Sequence, residues 1–178
     1  MKRLACLAGI VAAVFGLAAA APATAALPAA YQAIVVMPQG LPERAEFDLG
    51  PALQRARSEN KRLYVYLGAS DCPFCRRYEA FLDKNAAALR PHFAAQYIVV
   101  DLRSALSVQA PRLFFRAGKG LRAYGDFMRE IGDERERQLV YPSVWLFDGQ
   151  ARPLMQMPAG TGTFETVEEQ LEILNLVQ

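Results

Sequence analysis

The sequence is poor in the residues that hold metals or staple small exported domains. Its 178 residues contain three cysteines and one histidine. Beside Cys72-Pro73-Phe74-Cys75 there is no second C-x-x-C, so the four-ligand spacing of a structural zinc site is missing. His92, which follows Pro91, reads as a surface or capping histidine. Charge of one sign is also lacking. The chain has 20 Lys+Arg against 18 Asp+Glu, and without Lys2 and Arg3 the two signs balance. That excludes a nucleic-acid partner, since such binding draws on net positive charge. Beyond Leu4–Ala21 no run is apolar enough to span a bilayer. With 53% hydrophobic residues, disorder is excluded and a real core is expected.

The start of the chain has its own logic. Lys2-Arg3, the apolar run and Ala23-Thr24-Ala25 form a basic, greasy and small-x-small series. That pattern predicts a secretory signal peptide over 1–25, cut before Ala26; an uncleaved anchor is the alternative. The Ala-rich style points to a periplasmic protein. Cys6 precedes most of the apolar run, which argues against a lipidated cysteine. Residues 26–47 read as an extended lead-in whose Ala33–Val36 is a possible first strand. The length of 48–178 suits one domain.

Removal of the leader leaves Cys72 and Cys75. A disulfide closing so small a loop removes little chain entropy and stabilises weakly. A redox dithiol fits the surroundings better. Arg62–Leu67, bounded by Gly68, reads as a buried strand. Arg76–Leu82 reads as a helix with Tyr78, Phe81 and Leu82 on one face. Ser70 or Asp71 is placed to cap it, with Pro73 in its first turn. Cys72 then lies at a helix N-terminus, where free N–H groups and the helix dipole favour a thiolate. Cys75 lies one turn further in. An exposed nucleophile and a covered partner are what disulfide exchange requires.

With these motifs in place, most of residues 48–178 resembles the thioredoxin superfamily. The resemblance rests on the helix Leu49–Lys61, the strand Arg62–Ala69 leading into Cys72–Cys75, and the strand Tyr97–Asp101. It continues through Tyr141-Pro142 before Val144–Phe147, the Asp148-Gly149 turn, a last strand Arg152–Met157 and a closing helix Phe164–Leu176. It implies an α/β fold, thioredoxin-like, with a central mixed β-sheet flanked by helices. It further implies a cis bond before Pro142, facing the cysteines. Pro73, Phe74, Tyr141 and Pro142 would then bind substrate, with Cys72 attacking and Cys75 resolving. The implied function is a periplasmic thiol–disulfide oxidoreductase, more a reductase than an oxidant, of the secreted SoxW-like kind. It would act as a monomer on protein thiols or disulfides, with a membrane or periplasmic redox partner, no cofactor and no metal. The alternative is a copper(I)-handling or binding module using the same cysteines. Met155-Gln156-Met157 could contribute soft ligands to it, though on a strand both methionines share one face and simply fill it.

Two departures from that family stand out. The acidic residue usual six positions before the first cysteine is replaced by Tyr66, which leaves Glu79 or water to take the proton of Cys75. Residues 104–125 are longer than the family needs. Their Ala117–Gly120 centre predicts a hairpin or loop packed locally with solvated arginines, a docking patch being the less favoured reading. Phe127–Leu139, rich in charges of both signs, predicts an exposed helix.

Overall fold

The computed structural model describes residues 26–40, 44–118, 120–132, 138–157 and 166–176. The expected leader 1–25, Lys119 of the expected turn, the charged run 133–137 and the expected helix start at Phe164 lie outside the described residues.

Alternation along the buried strand organises the molecule. β3 (Arg62–Ala69) turns Leu63, Val65 and Leu67 into one apolar cluster and Tyr64 and Tyr66 into another. Successive side chains of a strand face opposite ways, so a strand covered on both faces reads as a continuous apolar run. β3 is central in a five-stranded mixed sheet of order β1-β4-β3-β7-β8. β1 (Ile34–Val36) and β4 (Tyr97–Ser104) run parallel to it; β7 (Ser143–Phe147) and β8 (Pro153–Met157) complete the antiparallel side. The α-helices among the described residues are α1 (Gly50–Ser58), α2 (Pro73–Lys84), α3 (Ala86–Gln96), α4 (Tyr124–Glu130) and α5 (Val167–Asn175). Buried residues of α1 and α4 join the first cluster; those of α2, α3 and α5 contribute to the second. The expected central mixed sheet with flanking helices is what the chain forms.

Helix ends follow local chemistry. α1 stops before Asn60, whose φ of 50° is left-handed and ends the helical path. α5 starts three residues later than Phe164 because Thr166 forms a capping box with Glu169, each backbone N–H bonded by the other's side chain at 3.2 Å. In the β7–β8 turn, Asp148 accepts N–H bonds from Gln150 and Arg152 at 2.9 and 2.8 Å. The left-handed residue of that turn is Ala151, φ 68°, rather than Gly149.

Two expectations need correction, and the hairpin expected within 104–125 forms but is not packed only locally. The described residues within 26–47 are integrated with the fold instead of leading into it. β1 joins the central sheet, and β2 (Ala45–Asp48) pairs in parallel with β5 (Leu113–Ala117). The 104–125 insertion supplies β5 and β6 (Gly120–Ala123), a hairpin, so lead-in and insertion together build a second sheet, β2-β5-β6. Its inward residues Phe47, Leu113 and Phe115 are buried in the first cluster, while Arg116 and Arg122 pair with Glu46 and Glu130. The helix expected over Phe127–Leu139 forms earlier. It buries Tyr124, Phe127 and Met128, and Phe127 packs edge-on against Trp145 and stacks on Phe147. The charge pattern hid that face, because the apolar residues sit at its N-terminal end.

Phe127→Ala should therefore lower stability by about 3–5 kcal/mol, the cost of a core aromatic truncation. Arg129→Ala on the exposed face should stay within about 0.5 kcal/mol of the parent. Urea unfolding of both variants measures the contrast.

Candidate active site

The site forms where β3 ends and α2 begins. Pro73 occupies the first helical position, which suits its fixed φ and missing N–H. Cys72 therefore becomes the N-cap, with extended backbone angles of −93° and 115°. Its Sγ accepts the Cys75 N–H at 3.2 Å. The expected caps do other work or none: Asp71 accepts the Leu106 N–H at 3.2 Å, tying the turn to the loop after β4. Both cysteines are free thiols.

Cys72 was expected to be exposed, and it is not. Its exposure is 1%, that of Cys75 0%. The physical reason is the roof supplied by the segment before β7. The Cys72 thiol donates to the Tyr141 carbonyl at 3.8 Å, while its acceptor side is turned back onto the helix. The Tyr141–Pro142 peptide bond is cis. The Tyr141 phenol is anchored below, donating to the Val108 carbonyl at 3.3 Å and lying 3.1 Å from the Ser104 hydroxyl. Of the sequence-selected binding residues, Tyr141 and Pro142 are buried beside the sulfur, whereas Pro73 and Phe74 are exposed. Phe74 is 48% exposed, and the Arg77 guanidinium sits 5.8 Å over its ring. Val140, next to the roof, is also exposed.

Cys75 meets a different environment. The Ala69 N–H donates to its Sγ at 3.5 Å, and the neighbouring Tyr66 phenol favours its ionised form. Burial, with the neighbouring Cys72, pushes the Cys75 thiol up to about 12. Tyr66 also donates to Glu79 Oε1 at 2.8 Å. Sequence reading marked Tyr66 only as a missing acid and Glu79 as one possible substitute; the structure joins them. Gly68 was read as a strand boundary, yet β3 continues to Ala69. A Cβ at position 68 would fall 2.6 Å from Tyr66 Cε1 and 2.8 Å from its hydroxyl. The absent side chain is the space in which the buried phenol lies.

Glu79 belongs to a small buried acidic group. Its carboxyl is raised above its ordinary value by burial, against the lowering effect of the Tyr66 hydrogen bond and the nearby Ala26 N–H. Asp101 is raised for the same reason. It accepts the Leu27 N–H at 3.0 Å and the Arg103 guanidinium at 2.6 Å, and its Oδ1 has no protein partner. Among the described residues no group of three or more His, Cys, Asp or Glu could hold a metal. Met155 packs against the tyrosine-side cluster, whereas both cysteines belong to the opposite one.

Comparison with known proteins adds the following. The family model described as a thioredoxin-like domain matches residues 49–175. Solved structures similar to this chain include a disulphide isomerase from Xylella fastidiosa Temecula1, 19% identical over 60% of this chain and 67% of that one, TM-score 0.39. A thioredoxin-fold protein from Helicobacter pylori is 16% identical over 57% of this chain and 62% of that one, TM-score 0.38. The pneumococcal exposed lipoprotein thioredoxin from Streptococcus pneumoniae strain TIGR4 is 16% identical over 68% of this chain and 87% of that one, TM-score 0.38. A search of the curated proteins finds no match.

The raised Glu79 carboxyl has a signed effect on stability. Above its ordinary value of 4.5, the unfolded chain releases this proton while the folded chain still holds it. Folded protein then binds more protons, so this contribution to stability falls as pH rises through the folded-state value. Glu79→Gln should flatten the decline upward from pH 4.5, read by urea unfolding at a series of pH values; an unchanged slope would contradict the assignment.

Proposed function

The chain belongs to the thioredoxin-like family, and on that premise we propose that it is a thiol–disulfide oxidoreductase working through Cys72 and Cys75. The observation that carries this reading is the pair of sulfurs at the head of α2. One caps the helix against the N–H of the other's residue and lies under the cis Tyr141–Pro142 segment, while the other is held beneath β3. Such a pair can be joined by a disulfide with little movement, and helix-end N–H groups stabilise negative charge on sulfur during exchange.

Cys72 is the attacking sulfur in this reading, and Cys75 resolves the mixed disulfide. Because Cys72 is covered, attack requires its side chain to turn outward from the Tyr141 carbonyl, toward the rim formed by Pro73, Phe74 and Val140. An extended client would pair with the Tyr141 backbone as it displaces that contact. Clients are proteins carrying thiols or disulfides. The direction we propose is reduction, with electrons supplied by a dithiol partner in or at the membrane.

We propose export to the periplasm by a leader removed before Ala26. Support comes from the sequence pattern of residues 1–25 and from the first two residues after the cut. The Ala26 and Leu27 N–H groups meet the Glu79 and Asp101 carboxylates. A new amino group there would face acids that welcome it. The mass of the protein recovered from a periplasmic fraction should correspond to Ala26–Gln178, and a product retaining residues 1–25 would overturn this part.

Cys72→Ser should abolish reduction of insulin disulfides. Cys75→Ala should still attack and accumulate mixed disulfides that migrate as larger species on non-reducing gels. A reductase should show a potential near about −270 mV, a strong oxidant one near about −120 mV. Stoichiometric copper(I) binding by an anaerobic dithiol that reduces no protein disulfide would replace this reading with the copper one.

A further inference from the structure

On the oxidoreductase reading above, Cys75 must lose a proton inside a buried site. Burial holds the Cys75 thiol above its ordinary value, so at pH 7 it is almost wholly protonated. Resolution therefore needs a base within reach, and the acid usual on the strand is replaced by Tyr66.

We propose that Tyr66 and Glu79 form a two-member proton relay that accepts the Cys75 proton as the second sulfur attacks. Three features of the fold carry it. Cys75 and Glu79 are four residues apart on α2 and so lie on the same face, one turn from each other. The Tyr66 phenol reaches that face from β3 and donates to Glu79 Oε1 at 2.8 Å, and Cys75 is its other interacting polar neighbour. Gly68 leaves the ring the volume it occupies, since a Cβ there would fall 2.8 Å from its hydroxyl. Tyr66 is fully buried and Glu79 is 7% exposed, so bulk water does not compete freely for the chain.

The groups facing Glu79 set its readiness. Tyr66, the Ala26 N–H and Arg103 favour the carboxylate, while burial and Asp101 favour the neutral acid. Cys75 faces Tyr66, the Ala69 N–H and Cys72. The balance leaves Glu79 a stronger base than an exposed carboxylate, which is what a proton acceptor near neutrality requires.

In the step itself, the reactant is a mixed disulfide between Cys72 and a client sulfur. The Cys75 proton passes to the Tyr66 oxygen while the Tyr66 proton passes to Glu79 Oε1. The electron pair left on Cys75 Sγ attacks Cys72 Sγ. The Cys72–client S–S bond breaks, and its electron pair departs on the client sulfur, which takes a proton from water. The dithiol is oxidised by two electrons and the client disulfide is reduced by two. Glu79 afterwards returns its proton to solvent. Tyr66 acts on the reacting Cys75 sulfur directly, while Glu79 acts through Tyr66.

Stopped-flow reaction of the reduced protein with 5,5′-dithiobis(2-nitrobenzoate) separates the two sulfurs. The first thionitrobenzoate is released by Cys72, the second when Cys75 resolves the mixed disulfide. Tyr66→Phe and Glu79→Gln should leave the first phase within about twofold of the parent. Each should slow the second by about 10-fold or more at pH 6–7, with the gap closing at alkaline pH. A second phase equal to the parent's at every pH in both variants overturns the relay. In a Cys72→Ala background, NMR titration of the Cys75 ¹³Cβ should move upward with Tyr66→Phe, and an unmoved titration also overturns it. Neither readout needs a protein client. Loss of insulin reduction by the parent would sink the oxidoreductase reading while leaving these two results to decide the relay.

Discussion

One hydrogen bond fixes the character of the site, that from the Cys75 N–H to the Cys72 sulfur at 3.2 Å. A helix must satisfy the N–H groups of its first turn from outside its own ladder. Here a sulfur does so in place of the usual oxygen. Pro73 makes the arrangement compulsory, because it is at home only in that first turn and so assigns the cap to the residue before it. The second cysteine is then brought under β3, with the Ala69 N–H on its sulfur. Separation, burial and hydrogen bonding of the two thiols all descend from where α2 is allowed to begin.

The central sheet was legible because its strands announce themselves. Arg62–Ala69 and Tyr97–Ser104 are β-branched, aromatic and apolar, and both are buried along most of their length. The helix after the cysteines was legible from its i, i+3, i+4 apolar positions. The second sheet was not. β2 and β5 are nearly 70 residues apart and each is short, so neither advertises a partner. Their pairing is set by what is left to cover on the α1 side of the central sheet. α4 was misread because charge dominates its sequence neighbourhood while three large residues at its start decide where it packs.

At the site, sequence gives the identity of residues but not the reach of a side chain. The spacing placed Tyr66 on the acid's usual position and left its function open. That a phenol could span from β3 to Glu79 depends on an empty position two residues on. Gly68 reads equally well as the end of a strand. The covering of Cys72 was hidden for a similar reason: it comes from the Tyr141 carbonyl, about 70 positions later, whose closeness to the sulfur spacing does not reveal.

The two faces of the sheet also differ in their light-absorbing groups. The lone tryptophan, Trp145, is enclosed by Phe115, Tyr124 and Phe127 on one side. Five of the seven tyrosines, Tyr31, Tyr64, Tyr66, Tyr78 and Tyr97, lie in the cluster on the other, all with ionisation pushed upward by burial. Indole fluorescence thus reports on the layer built by α1, α4 and the small sheet. Alkaline phenolate absorbance reports mainly on the layer beneath α2, α3 and α5, with Tyr124 and Tyr141 on the other side. The molecule carries two intrinsic optical probes, one for each half of its interior, and loosening of either half can be followed without a label.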